Sequence, residues 1–157
     1  MVEKDVLKKI VFLKDLPGSV LEKVGAIAQL ETFDEESILF RQEQEQKLLY
    51  MLVSGKVFLN SRSGSGKSLT LDEVSYGRTF GVSALMGEAV STFTAICAQT
   101  SSIITVSGDQ MRELFESDFE IGHTLMQKVV ELFKSRMDRH TRQFLNSLAT
   151  HPEIKQV

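Results

Sequence analysis

The chain has 157 residues, a net charge of −3, three histidines and a single cysteine. One cysteine excludes a disulfide framework and a cysteine metal site, and the mild acidity argues against a basic nucleic-acid-binding face. No apolar run approaches the ~18 residues that span a membrane, and Met1-Val2-Glu3-Lys4-Asp5 lacks a signal-peptide core, so a cytoplasmic domain is expected.

Residues 1–31 read as a helical lead-in. Val6, Leu7, Ile10, Val11 and Leu13 fall on one helical face, with Lys4, Lys8, Lys9 and Lys14 on the other. Pro17-Gly18 breaks this helix, and Ser19 is placed to cap a second one with Val20, Leu21, Val24, Ile27 and Ala28 toward the core. Over residues 32–106 the apolar period falls toward two. Strands are expected at Ser37–Arg41, Leu48–Val53, Lys56–Asn60, Ser68–Glu73, Ala95–Ala98 and Ile103–Val106, with tight turns or bulges at Gly55 and Gly77. Over residues 108–149 Gly108-Asp109 opens a short helix to Phe115, and Asp118 caps a long one running to Leu148.

That last helix carries Met126, Val130, Phe133, Met137, His140 and Phe144 at alternating spacings of four and three, a heptad seam suited to a homodimer. Ile121, Leu125, Val129 and Leu132 lie beside the seam and would face the domain's own core. Packing of both sets within one chain is the alternative. His140 fits a hydrogen-bonded interface residue, because His123 and His151 are too far along the chain to form a metal cluster with it. No catalytic set and no metal site can be assembled, and an enzyme is not expected.

Two segments carry loop chemistry. Ser61-Arg62-Ser63-Gly64-Ser65-Gly66-Lys67-Ser68 comes within one residue of a phosphate loop, but Ser61 stands at the first glycine position. A phosphate loop needs a helix directly after it, and Leu69-Thr70-Leu71-Asp72-Glu73-Val74 alternates like a strand, so a hairpin loop is expected. The second segment is Phe80-Gly81-Val82-Ser83-Ala84-Leu85-Met86, closed by Thr92-Phe93-Thr94-Ala95. A strand followed by Gly and one turn of small and apolar residues presents unpaired backbone N–H groups, where anions settle.

This segment, 80–95, resembles the phosphate-binding cassette of cyclic-nucleotide-binding domains, as in catabolite-activator (Crp/Fnr-type) regulators. Phe40-Arg41, Ser54-Gly55-Lys56-Val57 and Gly77 with Phe80-Gly81 are similar to patterns of that family, and the order of elements matches over residues 10–148. The resemblance implies an α+β single domain over 1–157: an antiparallel β-roll (jelly roll) with amino-terminal helices and a long carboxyl-terminal dimerisation helix. It implies a stand-alone sensory or regulatory module in which a small-molecule effector, a cyclic nucleotide in the family, biases the long helix and the surface offered to a protein partner. Pocket candidates are Phe80, Gly81, Val82, Ser83, Ala84, Leu85, Thr92, Phe93, Thr94 and Arg136.

The departures bear on the ligand. Val82 stands where the family uses Glu for the ribose, and Thr92 and Phe93 where Arg and Ser or Thr hold the phosphate. Glu36 and Glu43 replace family glycines. Losing the charged pair removes about 1.5–3 kcal/mol, so an uncharged or carboxylate-bearing ligand suits the lining better than a cyclic nucleotide. Arg136 would be a cation from the long helix, or a solvated residue in a run with Lys134 and Arg139. A ligand-independent dimeric interaction protein is the rival reading. A truncated transcription regulator is the third, since no recognition helix can be placed before Val157.

Overall fold

The computed structural model describes residues 1–150; His151 and Val157 lie outside them. Eight strands form two antiparallel four-stranded sheets. They are β1 (Ala28–Phe33), β2 (Ile38–Phe40), β3 (Leu48–Ser54), β4 (Val57–Arg62), β5 (Ser68–Val74), β6 (Thr79–Phe80), β7 (Thr94–Cys97) and β8 (Ser101–Ser107). One sheet has the order β1-β8-β3-β6 and the other β2-β7-β4-β5. Sequence neighbours sit in different sheets at most connections, which makes the β-roll rather than a meander. The helices are α1 (Lys4–Leu7), α2 (Gly18–Ile27), α3 (Gly108–Ser117) and α4 (Phe119–Ala149). The chain divides into two compact units, Met1–Gly122 and the segment from His123 onward.

Between the sheets, Tyr50, Leu52, Phe80 and Ile103 of the first meet Val57, Leu59, Val74, Ala95 and Cys97 of the second. The alternate residues of the first sheet, Leu49, Met51, Ile104 and Val106, are equally buried, because α2 touches β1 and α3 touches β8. Covering both faces explains why β3 reads as a continuous apolar run rather than an alternation. Burial also pushes the Cys97 thiol up, against the lowering effect of its Ser101 hydrogen bond.

Three local expectations need correction. The amino-terminal helix lasts one turn; residues 8–16 form tight turns with bonds such as Lys9 N to Val6 O at 3.1 Å and Leu13 N to Ile10 O at 3.0 Å. The Val11 N–H instead reaches the Gly77 carbonyl at 2.9 Å, and Val11 is left exposed. Helix α2 starts two residues earlier than a Ser19 cap implies, with Pro17 as its N-cap and no side-chain cap. The helical lead-in ends at Ile27, and residues 28–33 are β1, paired with β8 from Ala28↔Val106 to Phe33↔Ser101.

Other expectations hold. Gly55 and Gly77 have φ of 101° and 81°. Asp118 Oδ1 accepts the N–H groups of Glu120 and Ile121 at 3.1 and 3.2 Å, an N-cap for α4. Residues 61–68 join β4 to β5 as a hairpin, so the phosphate-loop geometry is absent there. The register within this hairpin slips once: Leu59 faces Asp72 and Asn60 faces Thr70, leaving Leu71 as a bulge in the edge strand β5.

Glu36 and Glu43 adopt φ of 71° and 66°, the left-handed region that favours glycine. Each is fixed by a backbone bond, Glu36 N to Cys97 O at 2.7 Å and Glu43 N to Ser91 O at 2.8 Å.

Candidate functional site

The cassette begins where β6 pairs with β3, Phe80 opposite Tyr50. Gly81 turns the chain with φ 73° and ψ 29°, and a 3-10 helix follows over Val82–Met86, ending at Gly87 with φ 78°. Glycine is favoured at position 81 by its φ and by crowding: a Cβ would lie 3.0 Å from Tyr50 Cδ2 and 3.1 Å from both Gln46 Nε2 and the Leu48 carbonyl. Val82, Ala84 and Leu85 are buried, Ser83 is half-buried and Met86 is exposed.

Helix α3 holds this turn from its carbonyl side. Gly108 packs so closely on the Ala84 carbonyl that a Cβ there would overlap it. Arg112 Nη1 donates to the same oxygen at 2.7 Å, and the guanidinium also pairs with Asp109. Ser107 caps α3 by accepting from Gln110 N at 3.3 Å.

The second half of the cassette is strapped by residues 42–46. Ser91 N donates to the Gln44 carbonyl at 2.9 Å, and Glu45 bridges Val90. Thr94 Oγ1 accepts from Gln42 N at 2.9 Å. Buried Ser91 folds onto the segment leading into β7, its Oγ donating to Phe93 O at 2.6 Å and accepting from Phe93 N at 3.2 Å. Thr92 points to solvent and Phe93 packs against the core between the sheets.

Behind the cassette the roll is filled with rings. Tyr50 stacks on Phe80 with centroids 5.3 Å apart, and Phe40 lies 5.4 Å from Tyr50 and 6.2 Å from Phe80. Such offset and tilted pairs are each worth about 0.5–1.5 kcal/mol beyond area burial. The Tyr50 hydroxyl donates to Leu39 O at 3.0 Å. Burial, helped by the Glu31 charge, pushes its pKa up to about 12. Two buried polar atoms at this end, Gln46 Oε1 and Thr79 Oγ1, have no partner among the described residues; the Gln46 side chain is tied through its Nε2, which donates to Leu48 O at 2.6 Å.

Of the candidate residues, Phe80 and Phe93 reach the core between the sheets, Val82, Ala84 and Leu85 are buried in a turn that packs on β3 and α3, and Ser83 and Thr94 are half-buried while Thr92 is exposed. Arg136 lies on the second unit, on a half-buried turn of α4. In that unit Met126, Val130, Phe133, Met137 and Phe144 are 40% to 67% exposed, while His140 is half-buried. Sequence reasoning missed Tyr50, Gln46 and Arg112, which come from outside the motif, and Ser91, which lies within it. Phe40 was visible as part of a pattern with Arg41, but not as a wall of the interior.

Among the described residues no helix is long and apolar enough to cross a membrane, and no group of three or more His, Cys, Asp or Glu side chains could hold a metal ion.

The roll opens a single 3-10 turn on a left-handed glycine between its sixth and seventh strands and then passes into two helices. The profile of the cyclic nucleotide-binding domain matches residues 30–118, and the chain belongs to that family. Potassium channel KAT1 of Oryza sativa subsp. japonica is 22% identical over 146 residues, covering 90% of this chain and 20% of that protein; the chain spans about a fifth of that relative's length. A structure from Geobacter metallireducens GS-15, described as a cyclic nucleotide-binding protein, superposes with a TM-score of 0.76 at 25% identity, covering 87% of this chain and 99% of that one. A cyclic nucleotide-binding domain from Methylobacillus flagellatus KT superposes with a TM-score of 0.81 at 14% identity, covering 96% and 84%.

Proposed function

We propose that this chain is a regulatory module whose cassette closes on its own aromatic interior instead of gripping a cyclic phosphate, and which acts as a homodimer through α4. The observation that supports it is the side-chain arrangement at the cassette's end: Phe93 packs into the core cluster and Thr92 faces solvent. A cyclic phosphate would meet neither a guanidinium there nor a hydroxyl aimed inward from position 93. Without the charge-assisted pair and the ribose acceptor, affinity drops by more than a hundredfold. The 3-10 turn rests on α3 through Ala84, Gly108 and Arg112, and α3 runs through Asp118 into α4. A change at the turn is thereby passed along one continuous stretch of chain, and a ligand shifts it only through differential affinity for two poses. The exposed stripe Met126, Val130, Phe133, Met137 and Phe144 is the dimer surface in this reading. The role is regulatory rather than catalytic.

A second reading keeps an effector at the cassette. The unpartnered Gln46 Oε1 favours a neutral ligand carrying an N–H or O–H donor, since a buried acceptor left unpaired costs about 1–3 kcal/mol.

The test is a thermal-shift titration with cyclic AMP and cyclic GMP, beside sedimentation equilibrium of the protein and of Met137→Glu. The reading expects no saturable shift with either nucleotide, a dimer for the parent chain and a monomer for the variant. A ligand at a hundredfold its Kd stabilises by about 2.7 kcal/mol, so a true site would not be missed. A saturable rise with either nucleotide refutes the closed cassette, and a monomeric parent chain refutes the dimer. A rise only with neutral metabolites favours the second reading.

A further inference from the structure

The second sheet carries a cavity on the face turned away from the roll's core. In β4 and β7 the inward residues are Val57, Leu59, Ala95 and Cys97, so alternation turns Asn60, Thr94 and Ile96 outward. With Ile38 these line a cavity of about 710 Å³, walled by residues 41–44 on one side and 61–64 on the other. That is the size of a small-molecule site (roughly 300–1,000 Å³).

Its polar groups fall into two sets. One is already tied down: Gln42 Oε1 accepts from Arg62 N at 2.9 Å, Thr94 Oγ1 accepts from Gln42 N at 2.9 Å and Asn60 Oδ1 accepts from Thr70 Oγ1 at 2.9 Å. The first two tie the 41–44 wall to the hairpin and to β7, and the third lies within the β4–β5 hairpin. The other set is uncommitted. Arg41 and Arg62 both line the cavity, and neither guanidinium makes a hydrogen bond or ion pair with another described residue. Against these two cations stands one carboxylate, Glu43, in its left-handed turn.

We infer that this cavity binds a small phosphoanion, a phosphomonoester or diphosphate group held between Arg41 and Arg62. Two planar forks suit tetrahedral oxyanions, which can accept from both at once. Ser61, Ser63 and Ser68 line the same cavity, the Ser63 hydroxyl sharing a hydrogen bond with Ser65 Oγ at 2.8 Å. The serine-rich segment that falls short of a phosphate loop thus serves phosphate from its hairpin arms, through side chains instead of a helix N-terminus. The cavity shares Thr94 and residues 42–44 with the cassette's second half but lies on the opposite face of the second sheet from Ala95 and Cys97.

Isothermal titration of the whole chain with pyrophosphate and, in a second arm, with inorganic phosphate tests this, followed by amide NMR of the bound protein. Saturable binding is expected, weakened at least tenfold in Arg41→Gln and in Arg62→Gln, with shifts at residues 41–44 and 60–63. Binding of both anions points to a monoester, and binding of pyrophosphate alone to a diphosphate. Both arginines are at the surface, so unchanged thermal melts will show the variants folded. Absence of saturable heat in both arms overturns the proposal, as does wild-type affinity in both variants or a shift map centred on residues 81–87. None of these outcomes depends on whether the cassette binds a cyclic nucleotide.

Discussion

Phe80→Ala is the most direct probe of the closed interior. Phe80 is 0% exposed and holds both ring contacts that tie β6 to Tyr50 and to Phe40 across the sheets. Truncating a buried Phe costs about 3–5 kcal/mol, the upper half applying where neighbours cannot collapse into the space. Here they cannot readily do so, since Tyr50 is anchored by its hydroxyl to Leu39 O and Phe40 by the pairing of β2 with β7. A loss of about 4 kcal/mol is therefore expected, read as a fall in the urea midpoint at unchanged slope. For a chain of this length that is about 8–16 °C in Tm. Phe80→Leu, which keeps much of the volume, should cost about 1.5 kcal/mol. A measured cost under about 1.5 kcal/mol for Phe80→Ala would refute the reasoning, because it would mean the rings border an open pocket.

Three other substitutions follow from the geometry. Glu36→Gly and Glu43→Gly relieve left-handed strain of about 1–2 kcal/mol, against about 0.5–1 kcal/mol of added chain entropy; each should raise the urea-derived stability by about 0.5 kcal/mol, and a loss in both would show that the side chains do more than tolerate the turn. The Tyr50 phenol stays protonated in the fold up to about pH 12, while in the unfolded chain it ionises at its ordinary value of 10.0. The unfolded state therefore binds fewer protons between those values, and stability falls as pH rises through that window and is unaffected below it. Tyr50→Phe should flatten this alkaline decline in denaturant melts, and an undiminished slope would assign it to other groups.

The parts legible in the sequence were those where one residue type answers to one physical demand. The alternating runs became strands within a residue or two, Asp118 capped its helix, and the glycines at 55, 77 and 81 mark left-handed turns. Strand β1 was hidden because Ile27 and Ala28 continue the apolar spacing of α2, while residues 29–32 are exposed and give no inward alternation. Residues 8–16 kept a helical pattern, yet pairing of Val11 with Gly77 broke it into turns. Within the site, the Phe-Gly motif was local and therefore visible. The ring stack, the 42–46 strap and the Arg112 contact join residues tens of positions apart. Only the sheet registers bring them together, and periodicity does not encode register between distant strands.

The slip at Leu71 has a bearing on how the protein survives at high concentration. Strand β5 is a sheet edge with exposed Leu69 and Leu71, the kind of surface on which further strands accrete. The extra residue kinks that edge midway, and Asp72 and Glu73 follow it at once, so an incoming strand meets an interrupted ladder and two negative charges. Deleting Leu71 would straighten the ladder into an even template. The folded state would change little, but its shelf life as a dispersed species would be shorter.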